Sequence, residues 1–245
     1  MEISLLLPLA AGIFVIAVLY SSVGHAGASG YIAVMSLFSL APEMIKPAAL
    51  TLNIFVATIT TFQFYQAGHF RWSLFWPFIV LAIPMAFLGG YWNLPARVFH
   101  IVIGLILLFS AARFIRDPRP DTPKGPPSKS AAITSGGGIG LLAGLTGTGG
   151  GIFLTPLILM MRWATAKNAA AVSALFILFN SIAGLAGNIT ATLSLPVFAF
   201  PLVIAAITGG TIGSWMGSRQ MNHIAIKRLL AVVLLIAGFK LVFFP

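Results

Sequence analysis

Two glycine-rich stretches carry the residues with the clearest chemical potential. They run from Gly24 to Gly30 and from Gly144 to Gly151, and each leads into a short apolar run. Backbone N–H groups at a helix start have no intrahelical partner and lie at the positive end of the helix dipole, so they can bind an anion without a charged side chain. The predicted anion-binding residues of the two stretches are Gly27, Ser29, Gly30, Thr146, Gly147, Thr148, Gly149, Gly150 and Gly151.

Glycine also lets two helices approach closely, which is a competing explanation. We favour this packing explanation for the glycines from Gly136 to Gly144 and for Gly209, Gly213 and Gly217, which recur every four residues. For the two loops themselves we favour anion binding. A nucleotide-binding loop is not indicated, because no Lys-Ser or Lys-Thr pair follows the glycines.

Polar side chains inside apolar runs are the second group of candidates, because each needs a hydrogen-bond partner or a ligand. His25 lies in the first glycine stretch, where it either binds an anion, passes a proton or packs against the loop backbone. Asn53 and Asn180 either line a polar pathway or clamp one helix to another, and Gln63 is a weaker candidate for the same roles.

The groups that are absent argue against several kinds of site. The chain has no cysteine, and its four carboxylates, Glu2, Glu43, Asp117 and Asp121, lie outside the long apolar runs. A thiolate metal site is therefore excluded, while an oxygen-ligand cage for divalent cations and a carboxylate proton relay are disfavoured. No nucleophile, base and orienting acid can be assembled for hydrolysis. We predict no enzymatic activity, no metal and no other cofactor.

The composition is that of a membrane protein. Hydrophobic residues make up 59% of the 245 residues and charged residues only 7%, against about a quarter in soluble proteins. The 14 basic residues occur singly between apolar runs, so they indicate topology rather than nucleic-acid binding. The first apolar run is expected to remain in the mature protein, because Met1-Glu2 lacks the basic leader of a signal peptide.

Ten apolar segments fall into two matching halves. We expect them at about 4–20, 30–41, 46–66, 73–92 and 97–115, and again at about 132–146, 151–162, 168–187, 197–217 and 224–244. Residues 1–115 and 131–245 are predicted to be two membrane repeats, joined by a basic, proline-rich linker over 116–130. The alignment of residues 29–32 with 150–153, and of 46–49 with 167–170, indicates an internal duplication.

The second segment of each half is too short to cross a membrane, since about 12 residues cannot span a hydrocarbon core of roughly 30 Å. We interpret each first pair as two half-helices or a re-entrant hairpin that turns at the glycine stretch. The basic residues of 113–130 place the linker in the cytoplasm and both termini outside it. Five segments per half then predict an all-α, polytopic fold of two inverted-topology repeats with 8 to 10 membrane segments.

Cations and histidines near segment ends have weaker assignments. Lys46 and Lys167 begin the third segments, where they either attract anions into each vestibule or extend to the membrane interface. His69, His100 and His223 are interpreted as interfacial residues.

One motif resembles a known family. The run from Gly147 to Leu157, Gly-Thr-Gly-Gly-Gly-Ile-Phe-Leu-Thr-Pro-Leu, in a chain whose two halves both break early at glycines, is similar to the TauE/SafE sulfite exporters. The first half departs from this pattern, with Met35 where the second has Pro156. The resemblance implies a multi-pass permease of the bacterial or archaeal cytoplasmic membrane that moves sulfite, sulfoacetate or other organosulfonates.

These observations together predict a secondary transporter, and an exporter rather than an importer. A small sulfur-containing oxyanion would bind between the two glycine stretches, with alternating access about the half-helix N-termini. Its partners would be this anion and the lipid bilayer, without nucleic acid, and a homo-oligomer is left open. Two alternatives remain, an anion channel with the same site and a non-transporting membrane subunit that anchors or assembles a partner complex.

Overall fold

The computed structural model is helical throughout its regular elements. It describes residues 3–92, 104–105, 107–109, 111–112, 115–116, 122–193 and 199–243. The helices are α1 (Ile3–Ser22), α2 (Ala28–Leu37), α3 (Pro42–Gln66), α4 (Trp72–Tyr91), α5 (Lys129–Thr146), α6 (Gly151–Met160), α7 (Ala166–Thr192), α8 (Phe200–Trp215) and α9 (His223–Phe243). A π-helical turn, Met216–Gln220, extends α8.

The helices confirm an all-α, polytopic membrane fold. By length and hydropathy, four described helices are able to cross a membrane, at 43–66, 72–91, 166–192 and 200–220. The second helix of each half has only 10 residues, slightly shorter than the predicted 30–41 and 151–162. Most of the predicted segment 97–115 lies outside the described residues, and the described parts of it are helical.

Each short helix folds back along the helix before it. Gly30 of α2 packs against Ile16 and Tyr20 of α1, and Gly12 of α1 packs against Val34, so the two helices run antiparallel. In the second half, the backbone N–H of Lys124 donates to the carbonyl of Arg162 over 2.7 Å. This bond holds the residues that follow α6 beside the segment that precedes α5. Both pairs are therefore hairpins, here called hairpin 1 (α1–α2) and hairpin 2 (α5–α6).

The two hairpins enter the molecule from opposite ends. At the linker end, His69 Nε2 lies 2.9 Å from the carbonyl oxygen of Ser218, and Asn168 Nδ2 donates to the carbonyl of His69 over 2.6 Å. The end of α3, the start of α7 and the end of α8 therefore meet there, beside the start of hairpin 2. At the other end, Lys46 Nζ contacts the carbonyls of Gly89 and Gly90, which joins the start of α3 to the end of α4. This arrangement matches the antiparallel relation expected of inverted repeats.

Glycine makes the closest helix contacts. Two rows of glycines, one on α5 and one on α8, lie so close to the facing helix that an added Cβ atom would overlap its backbone. These contacts support the packing explanation for both rows. In the α4–α5 contact, Gly136, Gly140 and Gly144 face the carbonyls of Phe78, Ala82 and Ala86; in the α1–α8 contact, Gly209, Gly213 and Gly217 face those of Phe14, Val18 and Ser22. Around these pairs, α3 and α7 pack against each other at the centre.

A matched pair of alanine substitutions tests this packing. Gly140→Ala forces a methyl group against Ala82, whereas Gly138 on the same helix has no atom within 4 Å of its Cβ position. Both gain the same helix propensity. We expect Gly140→Ala to lower the free energy of unfolding by about 1–3 kcal/mol relative to Gly138→Ala, measured as thermal unfolding in detergent. Equal stability of the two variants would contradict close packing at Gly140.

The placement of the start of α3 and the linker at opposite ends of the molecule is testable by labelling, because the chain contains no cysteine. Ala41, just before α3, and Thr122, in the linker, are both exposed and belong to opposite ends of the molecule. We expect a membrane-impermeant maleimide to label Ala41→Cys from one side of the membrane and Thr122→Cys from the other. Labelling of both from the same side would contradict the placement of the start of α3 and the linker at opposite ends of the molecule.

Candidate functional site

Two glycines in the left-handed conformation begin the short helices. Gly27 caps α2 with a φ of 105° and Gly150 caps α6 with a φ of 86°, a region that side chains with a Cβ rarely adopt. Helical bonding starts with Tyr31, whose N–H donates to the carbonyl of Gly27, and with Phe153 and Leu154, whose N–H groups donate to that of Gly150. The N–H groups before these residues have no intrahelical partner.

The starts of the two short helices meet inside the molecule. His25 Nε2 lies 2.9 Å from Thr155 Oγ1, and this is a buried contact between residues 130 positions apart. His25 Cδ2 is 3.3 Å from the Cβ position of Gly151, the first residue of α6. Since both helices point their N-terminal ends toward this contact, the positive ends of two helix dipoles converge there.

Asn53 joins the two hairpins to each other. From the middle of α3, its Oδ1 accepts the N–H of Ala28 over 3.0 Å. Its Nδ2 donates to the carbonyl of Thr148 over 3.4 Å and to Ser181 Oγ over 3.3 Å. Of the two roles predicted for Asn53, the structure shows the clamp between helices.

The hydroxyl groups predicted to be anion donors bond within the protein. Ser29 Oγ donates to Tyr20 Oη over 3.1 Å. Thr146 Oγ1 donates to the carbonyl of Leu142 and lies 2.8 Å from Thr148 Oγ1. These side chains therefore hold the shapes of the two loops in this conformation.

Other buried polar atoms in this region have no hydrogen-bond partner among the described residues. They are Nδ1 of His25, Oη of Tyr31 and both side-chain amide atoms of Asn180. The ring of Tyr31 lies against Gly27, because a Cβ there would be 2.8 Å from Tyr31 Cζ. Such buried atoms are rare in folded proteins, and they suggest groups that await a ligand.

The two lysines cap helix ends, a role that differs from both predicted ones. Lys46 is the fifth residue of α3 rather than its first, and its Nζ lies 3.4 Å and 3.3 Å from the carbonyl oxygens of Gly89 and Gly90 at the end of α4. Lys167 Nζ makes the equivalent contact at the end of α8, 3.4 Å from the Ser218 carbonyl. A cation stabilises the negative C-terminal end of a helix.

The remaining candidates lie away from the meeting point. Gln63 Nε2 donates to the carbonyl of Thr211 and so clamps α3 to α8. His69 belongs to the linker end and His223 begins α9, while His100 lies outside the described residues. Within the part of the chain that the structure describes, no group of three or more His, Asp or Glu side chains is placed to hold a metal ion.

Sequence reasoning missed the partners of the loop residues. Thr155, Ser173 and Ser181 are buried hydroxyls that complete the contacts of His25 and Asn53. Thr155 follows Gly151 by four residues and therefore lies on the same face of α6. That spacing is the signal that was available for Thr155.

Comparisons with known proteins decide the family. The chain matches the sulfite exporter TauE/SafE family over residues 9–241. It belongs to the TauE/SafE family. Within the family, it is 44% identical over 239 residues to the "Probable membrane transporter protein y4hK" of Sinorhizobium fredii (strain NBRC 101917 / NGR234), with 95% of this chain and 96% of the relative covered. No solved structure matches this TauE/SafE chain.

Membership in the TauE/SafE family fixes the broad class of the protein. It is a multi-pass membrane transporter and not an enzyme. The two converging helix starts are the most distinctive polar feature of its described interior.

The clamp at Asn53 predicts a stability effect. Asn53→Ala leaves the buried N–H of Ala28 and the carbonyl of Thr148 without their partner. We expect a loss of about 1–3 kcal/mol in the free energy of unfolding, measured by thermal unfolding of the purified protein. The control is Thr58→Ala on the same helix, because the exposed Thr58 bonds only to its own helix at Ile54. An effect no larger than that of Thr58→Ala would argue against the clamp.

Proposed function

We propose that this transporter exports small sulfur-containing oxyanions, such as sulfite or an organosulfonate, by alternating access. The observation that carries the proposal is the convergence of the N-terminal ends of α2 and α6, both capped by left-handed glycines, beside His25. Two positive dipole ends with unpaired N–H groups attract an anion.

The surroundings favour an anion over a cation. The carboxylates of the sequence lie outside the apolar runs, and Glu43, in the first turn of α3, is exposed. A cation entering between the helix starts would meet like partial charge without a carboxylate to balance it. An oxyanion would meet donors in a water-poor interior, where electrostatic attraction is stronger than in water.

The proposed binding residues are those of the two loops. Backbone N–H groups of Gly27, Ser29 and Gly30 would approach the anion from hairpin 1, and those of 148–151 from hairpin 2. His25 and Asn180 would contribute side-chain contacts, whereas Asn53 would hold the two loops in register.

Inverted hairpins also support alternating access. We propose residues 1–115 and 131–245 as the two moving repeats, with 116–130 as a cytoplasmic linker and both termini extracytoplasmic. Hairpin 1 approaches the meeting point from one end of the molecule and hairpin 2 from the other, so rocking of one repeat against the other would expose the anion alternately. The five basic residues between 113 and 129 support the cytoplasmic position of the linker.

The description of the matched family supports the substrate and direction. The matched family is described as sulfite exporters and the relative as a probable membrane transporter. A sulfonate or sulfite group presents several oxygen acceptors, which suits a ring of backbone donors.

Counterflow in proteoliposomes tests this function and separates a carrier from a channel. We expect vesicles loaded with unlabelled sulfite to accumulate labelled sulfite transiently, since a carrier exchanges its substrate across the membrane. A channel would equilibrate the label without an overshoot. Protein that moves no sulfur-containing oxyanion in either direction would refute the proposal.

Two glycine-to-valine substitutions test whether Gly150 belongs to the anion site. Gly150 and Gly68 both have positive φ, 86° and 75°, but a side chain at Gly150 would meet Phe176, Ala143 and Ile139, whereas Gly68 faces open space. We expect Gly150→Val to reduce counterflow by at least about tenfold, equivalent to about 1.4 kcal/mol of lost binding. Gly68→Val carries similar backbone strain and should retain transport at equal protein level. Equal activity of the two would remove Gly150 from the site.

A further inference from the structure

Among the buried groups of the described residues that lack a hydrogen-bond partner, two acceptors that carry no proton of their own belong to residues beside the glycine loops. They are Nδ1 of His25 and Oδ1 of Asn180, and their residues are 1% and 0% exposed. A buried acceptor without a donor is costly, so a ligand that supplies one gains binding energy from it. The donor and acceptor pattern of these groups therefore carries information about the substrate beyond its negative charge.

The hydrogen bonds of His25 define which ring nitrogen carries the proton. Thr155 Oγ1 donates its proton to Ser173 Oγ over 2.7 Å. Thr155 must then accept the bond from His25, whose Nε2 lies 2.9 Å away. Nε2 is thus the N–H donor, and in the neutral ring Nδ1 presents a lone pair. Thr155 and Ser173 act as positioning residues that fix this tautomer.

His25 lies beside the proposed anion site, and its Nδ1 is buried without a hydrogen-bond partner. His25 Cδ2, in the same ring, is 3.3 Å from the Cβ position of Gly151 at the start of α6. His25 also precedes Gly27, the cap of α2, by two residues. An anion held by the N-terminal ends of α2 and α6 would therefore have His25 as a neighbour.

Asn180 lies on the face of α7 that meets hairpin 2. Phe176 approaches the Cβ position of Gly150, and Ile177 those of Gly149 and Gly151. Residues three and four apart share a helix face, so Asn180 follows Phe176 and Ile177 on the side of the glycine loop. Its amide adds an acceptor and a donor that the described protein leaves unused.

We infer that the substrate carries an N–H or O–H donor in addition to its anionic oxygens. The inference rests on the proposed function and narrows its substrate class. With the ring of His25 neutral, a fully deprotonated oxyanion, which has only acceptors, would set them against the lone pair of Nδ1. A hydrogensulfite-like monoanion, or a sulfonate with a hydroxyl or amino group, satisfies the helix N–H groups and His25 together. Both kinds of substrate combine anionic oxygens with one hydrogen-bond donor.

Two matched pairs of probes test the inference on the purified full chain. Sulfite in slightly acidic buffer, where hydrogensulfite predominates, is compared with methanesulfinate, which has a methyl group in place of the hydroxyl. Separately, 2-hydroxyethanesulfonate is compared with propane-1-sulfonate. We expect the donor-bearing member of at least one pair to bind about tenfold more tightly or better, because a site built for a donor rejects the analogue that lacks it. The pair that discriminates identifies the source of the donor.

Variants connect the preference to His25. His25→Phe keeps an aromatic ring but removes the acceptor, so the two members of the discriminating pair should bind about equally. Thr155→Val removes the partner that fixes the tautomer and should weaken the preference without abolishing binding. Equal binding within both pairs in the unmodified protein, or an unchanged preference in His25→Phe, would overturn the inference. Failure of all four probes to bind would instead contradict the proposed function, and the inference with it.

Discussion

Backbone polar groups at membrane depth need partners inside the protein, because the hydrocarbon offers none. The two hairpins place four helix ends and two glycine loops in that environment. Asn53 supplies partners to backbone groups of both hairpins. Its side-chain amide accepts the N–H of the first residue of α2 and donates to a carbonyl in the loop before α6. The positions of the two loops therefore depend on each other, and the hydrogen bonds of folding are enough to make the two helix starts converge.

Close packing by glycine is what allows the hairpins to reach the interior. The glycine rows on α5 and α8 bring these helices into backbone contact with α4 and α1. A dry, tightly packed surrounding strengthens the field of the helix dipoles and also raises the cost of each unpaired atom. The unpartnered groups of His25 and Asn180 are informative for this reason, because in a wetter interior water would satisfy them.

Features that depend on short stretches of sequence were predictable. The break at each glycine stretch, the short length of α2 and α6 and the packing role of Gly209, Gly213 and Gly217 all follow from residue types within one or two helical turns. Contacts between distant residues were not predictable. No local pattern indicates that Lys46 caps α4, that Asn53 reaches hairpin 2, or that Thr155 and Ser173 orient His25. These contacts depend on how the two halves of the chain pack against each other, and that packing cannot be predicted from a single sequence.

The repeats share a backbone plan but differ in side chains, and this difference bears on direction. His25 belongs to hairpin 1 alone, and Asn53 of α3 reaches both loops, so the two faces of the site are chemically unequal. Such inequality changes affinity from each side of the membrane, but the net direction of a carrier is set by the gradients acting on its substrate. A monoanion leaving a cytoplasm at negative potential gains about 2.3 kcal/mol per 100 mV. That energy sustains a gradient of about fiftyfold, since each 1.4 kcal/mol corresponds to a factor of ten. If the substrate is a monoanion, export therefore requires no coupling ion, which is consistent with a sequence that places no carboxylate in its long apolar runs.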